Sequence, residues 1–422
     1  MEKTHRFYYG WVIVGVSFFT LFFSLGVRSS FGVFYIAILQ EYGWGRAETA
    51  GAFSLAMLID ALFVMVTGNL IDRFGPRTLF PLGATFLALG LATASRIAAI
   101  WHLYLFFGVI TAIGITTLSY ATHMSRIPRW FIRKRGLASG LVLGGIGVGT
   151  MVMAPMIQFL IDTVGWRSAL LILGGIVLGL VVPMTALFQR SSPEDVSQCP
   201  DGIVSDSGGT YGLQTEVLPT DTRSPDLSEQ WTLRGALRTR AFWWIALVFF
   251  CAGVVTNTLV VHQAAHVVDA GYSARLGAFL VGLVGLVRSG GGVLCGFLSD
   301  RVGRETGYTL GGSAALVGVF LFILVRDTTS PWMLYAFAIL FGFSGSSGPI
   351  CAAATADLFP GNSLGRIMAT LMMGYGFAGA LGSYFGGYFY DQGGSYTVPL
   401  LLVMLCLSLG ILGIWMAAPR HR

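Results

Sequence analysis

The sequence alternates long apolar runs with short polar turns. A helix needs about 20 apolar residues to span a hydrocarbon core, and twelve runs are long enough: 9–38, 48–70, 78–97, 101–125, 136–162, 167–189, 241–268, 274–298, 307–326, 331–356, 365–389 and 396–417. One break is longer. Residues 190–240 are rich in Ser, Asp, Gly, Pro and Thr and read as a mostly disordered linker. The linker's end, from Gln230-Trp231-Thr232-Leu233-Arg234 to Arg240, mixes aromatic and basic residues as a short helix lying at a membrane interface does. The pattern predicts an all-α membrane protein of two six-helix halves, 1–189 and 241–422, joined by that linker. Met1 to Phe7 is too short, and the first apolar run too long, for a cleavable signal, so the first span is expected to stay.

Composition sharpens this picture. The 422 residues are 55% hydrophobic and 11% charged, with mean hydropathy +0.72, against roughly 25% charged in soluble domains. That excludes a disordered chain, a secreted disulfide scaffold and almost any cytosolic enzyme. The 57 glycines suit close helix packing in lipid. Cys199, Cys251, Cys295, Cys351 and Cys406 stand singly, so no metal or redox pair is encoded. The net charge of +6 is a topology signal. With the N-terminus inside, nineteen Lys and Arg fall on inner segments and five on outer loops, with Arg28 and Arg288 inside spans. Both termini are therefore expected in the cytoplasm, and a nucleic-acid role is excluded.

The halves share a motif. Gly68-Asn69-Leu70-Ile71-Asp72-Arg73-Phe74-Gly75 follows span two, and Gly296-Phe297-Leu298-Ser299-Asp300-Arg301-Val302-Gly303 follows span eight. Both read G-x-x-x-D-R-x-G. The first glycine allows close helix approach, and the Asp can cap a helix or pair with an Arg across the inner face. With this repeat the chain resembles the major facilitator superfamily, whose two six-helix halves rock about a central site. Tyr9-Gly10-Trp11, Ser29 to Phe34, Trp130 to Gly140, Arg288, and Gly387 to Asp391 followed by Gly394-Ser395-Tyr396 narrow the likeness. They resemble the monocarboxylate transporter family in its bacterial branch, near oxalate/formate-type carriers. The resemblance implies a multi-pass protein of the bacterial inner membrane that carries a small carboxylate, with a proton, and uses no cofactor or metal.

Arg288 lies near the middle of span eight, where an Arg costs at least about 2.5–3.5 kcal/mol. It needs a cavity, an acid or an anionic cargo, and its fork matches a carboxylate; carbonyls at a kink near Gly290, Gly291 and Gly292 could also satisfy it. The resemblance gives the matching Arg the substrate carboxylate. Arg28 is a second cation that either faces the cavity or snorkels outward. Asp60, deep in span two, either carries a proton or pairs with Arg28. The animal relatives place an Asp four residues before the span-eight Arg, where this chain has Val284, so a coupled proton must ride elsewhere. His262 and His266, with Asp269 beyond, share one helical face. They either sit among headgroups at the outer end of span seven or relay protons; His123 carries the same ambiguity at the inner end of span four. Tyr120, Thr117, Asn257 and Tyr375 either donate hydrogen bonds to substrate or hold helices together.

Gly144-Gly145-Ile146-Gly147-Val148-Gly149 lacks the strand that a dinucleotide loop requires and reads as a packing face. The absence of a phosphate-cradling GKS or GKT loop leaves ATP-driven pumping unsupported. The functional expectation is a carrier for a lactate- or pyruvate-like acid working by alternating access. Its rival is an exporter of a larger organic anion or drug-like metabolite on the same fold. A non-transporting membrane sensor is disfavoured, because 190–240 is too short and polar to be a sensing domain.

Overall fold

The computed structural model describes residues 8–202, 231–361 and 363–417. Among them every regular element is helical. Lipid offers no hydrogen bonds, and a helix satisfies its backbone internally. The chain runs through α1 (Gly10–Tyr42), α2 (Arg46–Phe74), α3 (Pro76–Ala94) and α4 (Ile100–Trp130). It continues as one helical stretch, Arg135–Phe188, of 54 residues. That is far too long for one crossing. The chain turns at Gly165, where φ is 80° and ψ 157°, a conformation open mainly to glycine. The stretch is therefore two crossings, α5 (135–164) and α6 (166–188). Then follow α7 (Arg240–Asp269), α8 (Ala274–Val302), α9 (Arg304–Leu324), α10 (Pro331–Leu358), α11 (Leu364–Gly393) and α12 (Thr397–Ala417). These are the twelve crossings that the apolar runs predict.

The repeated motif closes α2 and α8. Its last glycines, Gly75 and Gly303, take φ of 74° and 95°, each ending one helix and turning the chain into the next. Asp72 accepts from Arg126 Nη2 of α4 at 2.8 Å. Asp300 pairs with Arg304, which also reaches Asp357 of α10 at 3.1 Å. Arg73 and Arg301 lie over the rings of Phe74 and Phe297, at 5.3 and 4.5 Å. The first glycines behave differently from expectation. A Cβ at Gly68 would meet nothing within 4 Å, and at Gly296 only Pro349 at 3.6 Å. Neither position is crowded enough to exclude a Cβ.

The linker expectation changes in its first part. Residues 190–202 fold back on the first half, where helix ends leave backbone groups unpaired. Asp201 Oδ2 accepts the N–H groups of Ile132 and Arg133 at 3.0 and 2.8 Å. Gln198 Oε1 accepts from Tyr9 N at 2.9 Å. The Tyr8 hydroxyl donates to the Trp130 carbonyl and accepts from Asp201 N. Burial pushes its pKa up to about 12, which keeps it a neutral donor. The remainder of the expected disorder, 203–230, lies outside the described residues. The expected interfacial helix is a single turn, Leu233–Leu237, capped by Thr232 Oγ1 on Gly235 N at 3.1 Å.

The packing shows the two-fold relation of the halves. α1 packs on α5 as α7 packs on α11; across the halves α2 meets α11 and α5 meets α8. Among the described residues, the close glycine contacts between the halves lie in the middle and toward the face opposite the basic one. There Gly376 lies against Ala61, Gly282 against Met151 and Gly387 against Arg46 and Ala47, each too close to accept a Cβ without a shift. Ser54 of α2 donates to the Ala380 carbonyl of α11 at 2.7 Å. Toward the basic face, Gly68 of α2, Gly136 and Gly140 of α5, and Gly365 and Gly374 of α11 have nothing within 4 Å of a Cβ. The molecule is closed on one face and open on the basic one.

Candidate functional site

Arg288 projects from the middle of α8. Its Nη2 donates to Thr256 Oγ1 of α7 at 3.0 Å, and its guanidinium carbon lies 5.7 Å from the centre of the Phe341 ring of α10. Among the described residues no carboxylate forms an ion pair with it. Its surroundings are a hydroxyl and an aromatic face, which orient a guanidinium without neutralising it.

Arg28 has an acid. Its Nη1 donates to Asp60 Oδ2 at 3.1 Å and its Nη2 to Met57 Sδ at 2.9 Å. The other Asp60 oxygen accepts from Thr116 Oγ1 of α4 at 2.8 Å. The structure pairs Asp60 with Arg28 on the neighbouring helix. Both side chains keep partial access, at 20% and 28% exposure, so the pair is neither snorkelled outward nor sealed.

The other sequence candidates divide. Tyr120 is 45% exposed on the turn that restarts α4 after a break at Leu118 and Ser119, and Tyr375 of α11 lies half-buried with its carbonyl against Gly253 of α7. Thr117 and Asn257 do not meet the arginines. Thr117 returns its hydroxyl to the Ile113 carbonyl at 2.7 Å and packs on Gly83 of α3. Asn257 Nδ2 donates to the Gly253 carbonyl at 2.9 Å and fills the space over Gly379 of α11. Each returns a side-chain donor to a carbonyl one turn back on its own helix. His123 is buried and stacked on Phe80 at 4.3 Å. Val284, in place of the acid of the animal relatives, is buried.

His262 and His266 are not among headgroups; they lie inside the second half. Arg46, at the start of α2, crosses to the other half. It makes two 2.8 Å bonds to Asp269, lies 3.6 Å over the Tyr390 ring, and donates to the Tyr396 hydroxyl at 2.6 Å. That hydroxyl faces His262 Nδ1 at 3.2 Å, and His262 Nε2 faces the Ser383 carbonyl at 2.8 Å. The carbonyl needs a proton on Nε2, and the hydroxyl, already accepting from Arg46, has its own proton to give to Nδ1. His262 therefore sits as a neutral link. His266 Nε2 faces the Phe322 carbonyl at 3.0 Å.

Two further acids complete this closed face: Asp391, read in the sequence only as part of a motif, and Asp162, which the sequence reading does not single out. Asp391 of α11 accepts the N–H groups of Arg46 and Ala47 at 2.9 and 2.8 Å. It thereby caps a helix whose own N-cap, Gly45, has no side chain to do so. Asp162 of α5 accepts from Arg275 of α8 at 2.6 Å. The repeat carries the signal for both: an Arg opens α2 and α8, and an acid lies near the end of α5 and α11, at matching positions. The register of the Asp72/Asp300 motif, one residue shorter than this one, matches Asp60 with Arg288 and Arg28 with Thr256.

A twelve-crossing bundle of two related halves, closed at one face around two central arginines, defines a membrane transporter of the alternating-access kind. The family model of the Major Facilitator Superfamily matches residues 17–349 and 328–422, and the chain belongs to that family. Within it, the chain is similar to the monocarboxylate transporters. It is 29% identical to human monocarboxylate transporter 11, over 93% of this chain and 80% of that protein. It is 28% identical to bovine monocarboxylate transporter 13, over 95% and 88%. Among solved structures it superposes on a bacterial homologue of the human lysosomal transporter Spinster, inward-facing and unoccupied. The TM-score is 0.72 at 16% identity, over 98% of this chain and 99% of that one. The protein is an integral, multi-pass membrane transporter.

Proposed function

We propose that this transporter carries a small monocarboxylate of the lactate or pyruvate kind, with a proton, and that Arg288 receives the carboxylate. The observation that carries this reading is the one mid-membrane guanidinium that has hydrogen-bonding company but no acid among the described residues. Arg28 and Asp60 compensate each other, so the site offers one net positive charge to one negative cargo. The similarity to monocarboxylate transporters 11 and 13 supports the cargo class. The basic face is the cytoplasmic one by the positive-inside rule, so both termini are cytoplasmic, in a bacterial inner membrane, and the described conformation opens inward. Tyr120 and Tyr375 give neutral contacts to the cargo. Asp60 accepts the coupled proton, since it is the acid beside the site that retains access. His262 and His266 act at the closed face, while the motif residues Gly68, Asp72, Arg73, Gly296, Asp300 and Arg301 shape the basic one.

Uptake of labelled L-lactate, pyruvate and bulky aromatic acids into proteoliposomes, with and without a pH gradient, tests this. Wild type should accumulate the small acids when the outside is acidic. Arg288→Ala should lose that uptake while inserting normally. Retained uptake in Arg288→Ala, or accumulation of the bulky acids alone, contradicts the reading.

A further inference from the structure

Thr20, Thr117 and Thr150 return their hydroxyls to a carbonyl one turn back on their own helices. Thr116 of α4 has a second acceptor. Its Oγ1 lies 2.9 Å from the Ala112 carbonyl and 2.8 Å from Asp60 Oδ1. A hydroxyl has one hydrogen to donate, so it fully serves one acceptor at a time. The side chain is fully buried, which keeps bulk water from standing in for it.

The two oxygens of Asp60 are thereby told apart. Oδ2 takes an N–H of Arg28 at 3.1 Å, and Oδ1 takes the Thr116 hydroxyl. Arg28, Met57, Asp60 and Thr116 line one cavity whose other walls are apolar. The helices around α2 bring little else that carries charge. α1 supplies Arg28 and α4 supplies the hydroxyl. α3 has only Arg77, at its start. α11 places Gly376 against Ala61, with Tyr375 beside it, and keeps Arg366 and Asp391 near its ends.

We propose that Thr116 is a positioning residue for proton coupling: its hydroxyl holds Asp60 while the carboxylate is charged, and turns away to let Oδ1 take the proton. With Asp60 charged, the Thr116 hydrogen points at Oδ1. When a proton from water binds Oδ1, that hydrogen swings to the Ala112 carbonyl, and Oγ1 accepts the new O–H. Oδ2 stays with Arg28 throughout. The Thr116 hydrogen never leaves its oxygen, and the coupled proton comes from water on one side and returns to water on the other. Every polar atom of the set keeps a partner in both states. The bond to the charged carboxylate is the stronger of the two, so Thr116 opposes protonation and sets the pH at which it occurs. This inference rests on the reading of Asp60 as the proton acceptor and adds to it the residue that tunes that acid.

The test is equilibrium exchange of labelled pyruvate and L-lactate in preloaded proteoliposomes, with the same pH on both sides. Exchange runs through the loaded, protonated carrier, so its pH midpoint reports when Asp60 takes the proton. Thr116→Val keeps the shape and loses the hydrogen bond. It should move the midpoint upward by roughly one pH unit, the effect of one hydrogen bond to a charged group. Thr116→Ser should restore the wild-type midpoint, whereas a merely structural role would lower the rate and leave the midpoint in place. A wild-type midpoint in Thr116→Val, or a shift that Thr116→Ser does not undo, overturns this inference alone. Should Thr116→Val fail to insert, Thr116→Cys decides in the same way: the weaker donor raises the midpoint by less if the inference holds and leaves it unchanged if not. A wild type without a pH midpoint, or Asp60→Asn with the wild-type midpoint, overturns the proton reading of Asp60 and this inference with it. Exchange of neither acid overturns the carboxylate reading as well.

Discussion

Two arginines lie within the membrane-spanning part, and their neighbours give them different energetics. Arg28 and Asp60 lie partly accessible and share their charge. Removing either leaves the other as an uncompensated ion in a poor solvent, whereas removing both does not. Asp60→Asn and Arg28→Gln should therefore each lower thermal stability, with the double variant closer to wild type than their sum. The coupling should be roughly 0.5–3 kcal/mol by a double-mutant cycle on the purified protein; additive effects would deny that the pair is a unit. Asp60→Asn should also remove the dependence of uptake on an outward acid gradient, and an unchanged dependence would exclude Asp60 as the proton acceptor. Arg288 was legible in the sequence because a charge in mid-span is conspicuous. Thr117 and Asn257 were not, because a polar residue in a transmembrane helix can satisfy itself on the carbonyl one turn back, as both do. The face it presents is then set by its neighbours. The histidines misled for a related reason: distance along a helix from its end does not tell how deeply the surrounding helices bury it.

At the scale of the helix, glycine-lined contacts make the joint between the halves. Gly387 of α11 lies against the backbone of Arg46 and Ala47, where a Cβ would stand 2.6 Å from the nearest atoms. Asp391, one helical turn further on, caps the same end of α2. Gly387→Val should force the two helices apart and favour the conformation open at that face. Distances between spin labels on α2 and α11 should lengthen at the closed face and shorten at the basic one; an unchanged distribution would show that this contact does not hold the face shut. Asp391→Asn keeps the shape but weakens the cap. It should shift the same distances by a smaller amount, in keeping with the roughly 0.5–2 kcal/mol of a helix cap. The crossings themselves could be read almost directly from the apolar runs, because in lipid each backbone must be satisfied within its own helix. The turn at Gly165 falls in the gap between the runs 136–162 and 167–189, whereas the breaks in α4 and α10 could not be read, since each depends on what the neighbouring helices press against.

Across the whole molecule, the halves meet on one side of the membrane and part on the other. The ion pairs that join the halves, Arg46 with Asp269 and Arg275 with Asp162, all lie on the closed face. Those of the basic face, Asp72 with Arg126 and Asp300 with Arg304 and Asp357, stay within one half. This state was beyond the reach of sequence: the motifs fix where a face can lock, not whether it is locked. A single central cation can then meet either side by turn as the halves rock. On the proposed function, Arg288 holds the cargo carboxylate. Calorimetric titration of the purified protein with pyruvate and with its amide tests it most directly. Wild type should bind the acid and not the amide, and Arg288→Gln should weaken acid binding by about a hundredfold or more while the fold persists. Equal binding of acid and amide, or an Arg288→Gln variant that binds pyruvate as wild type does, would contradict it.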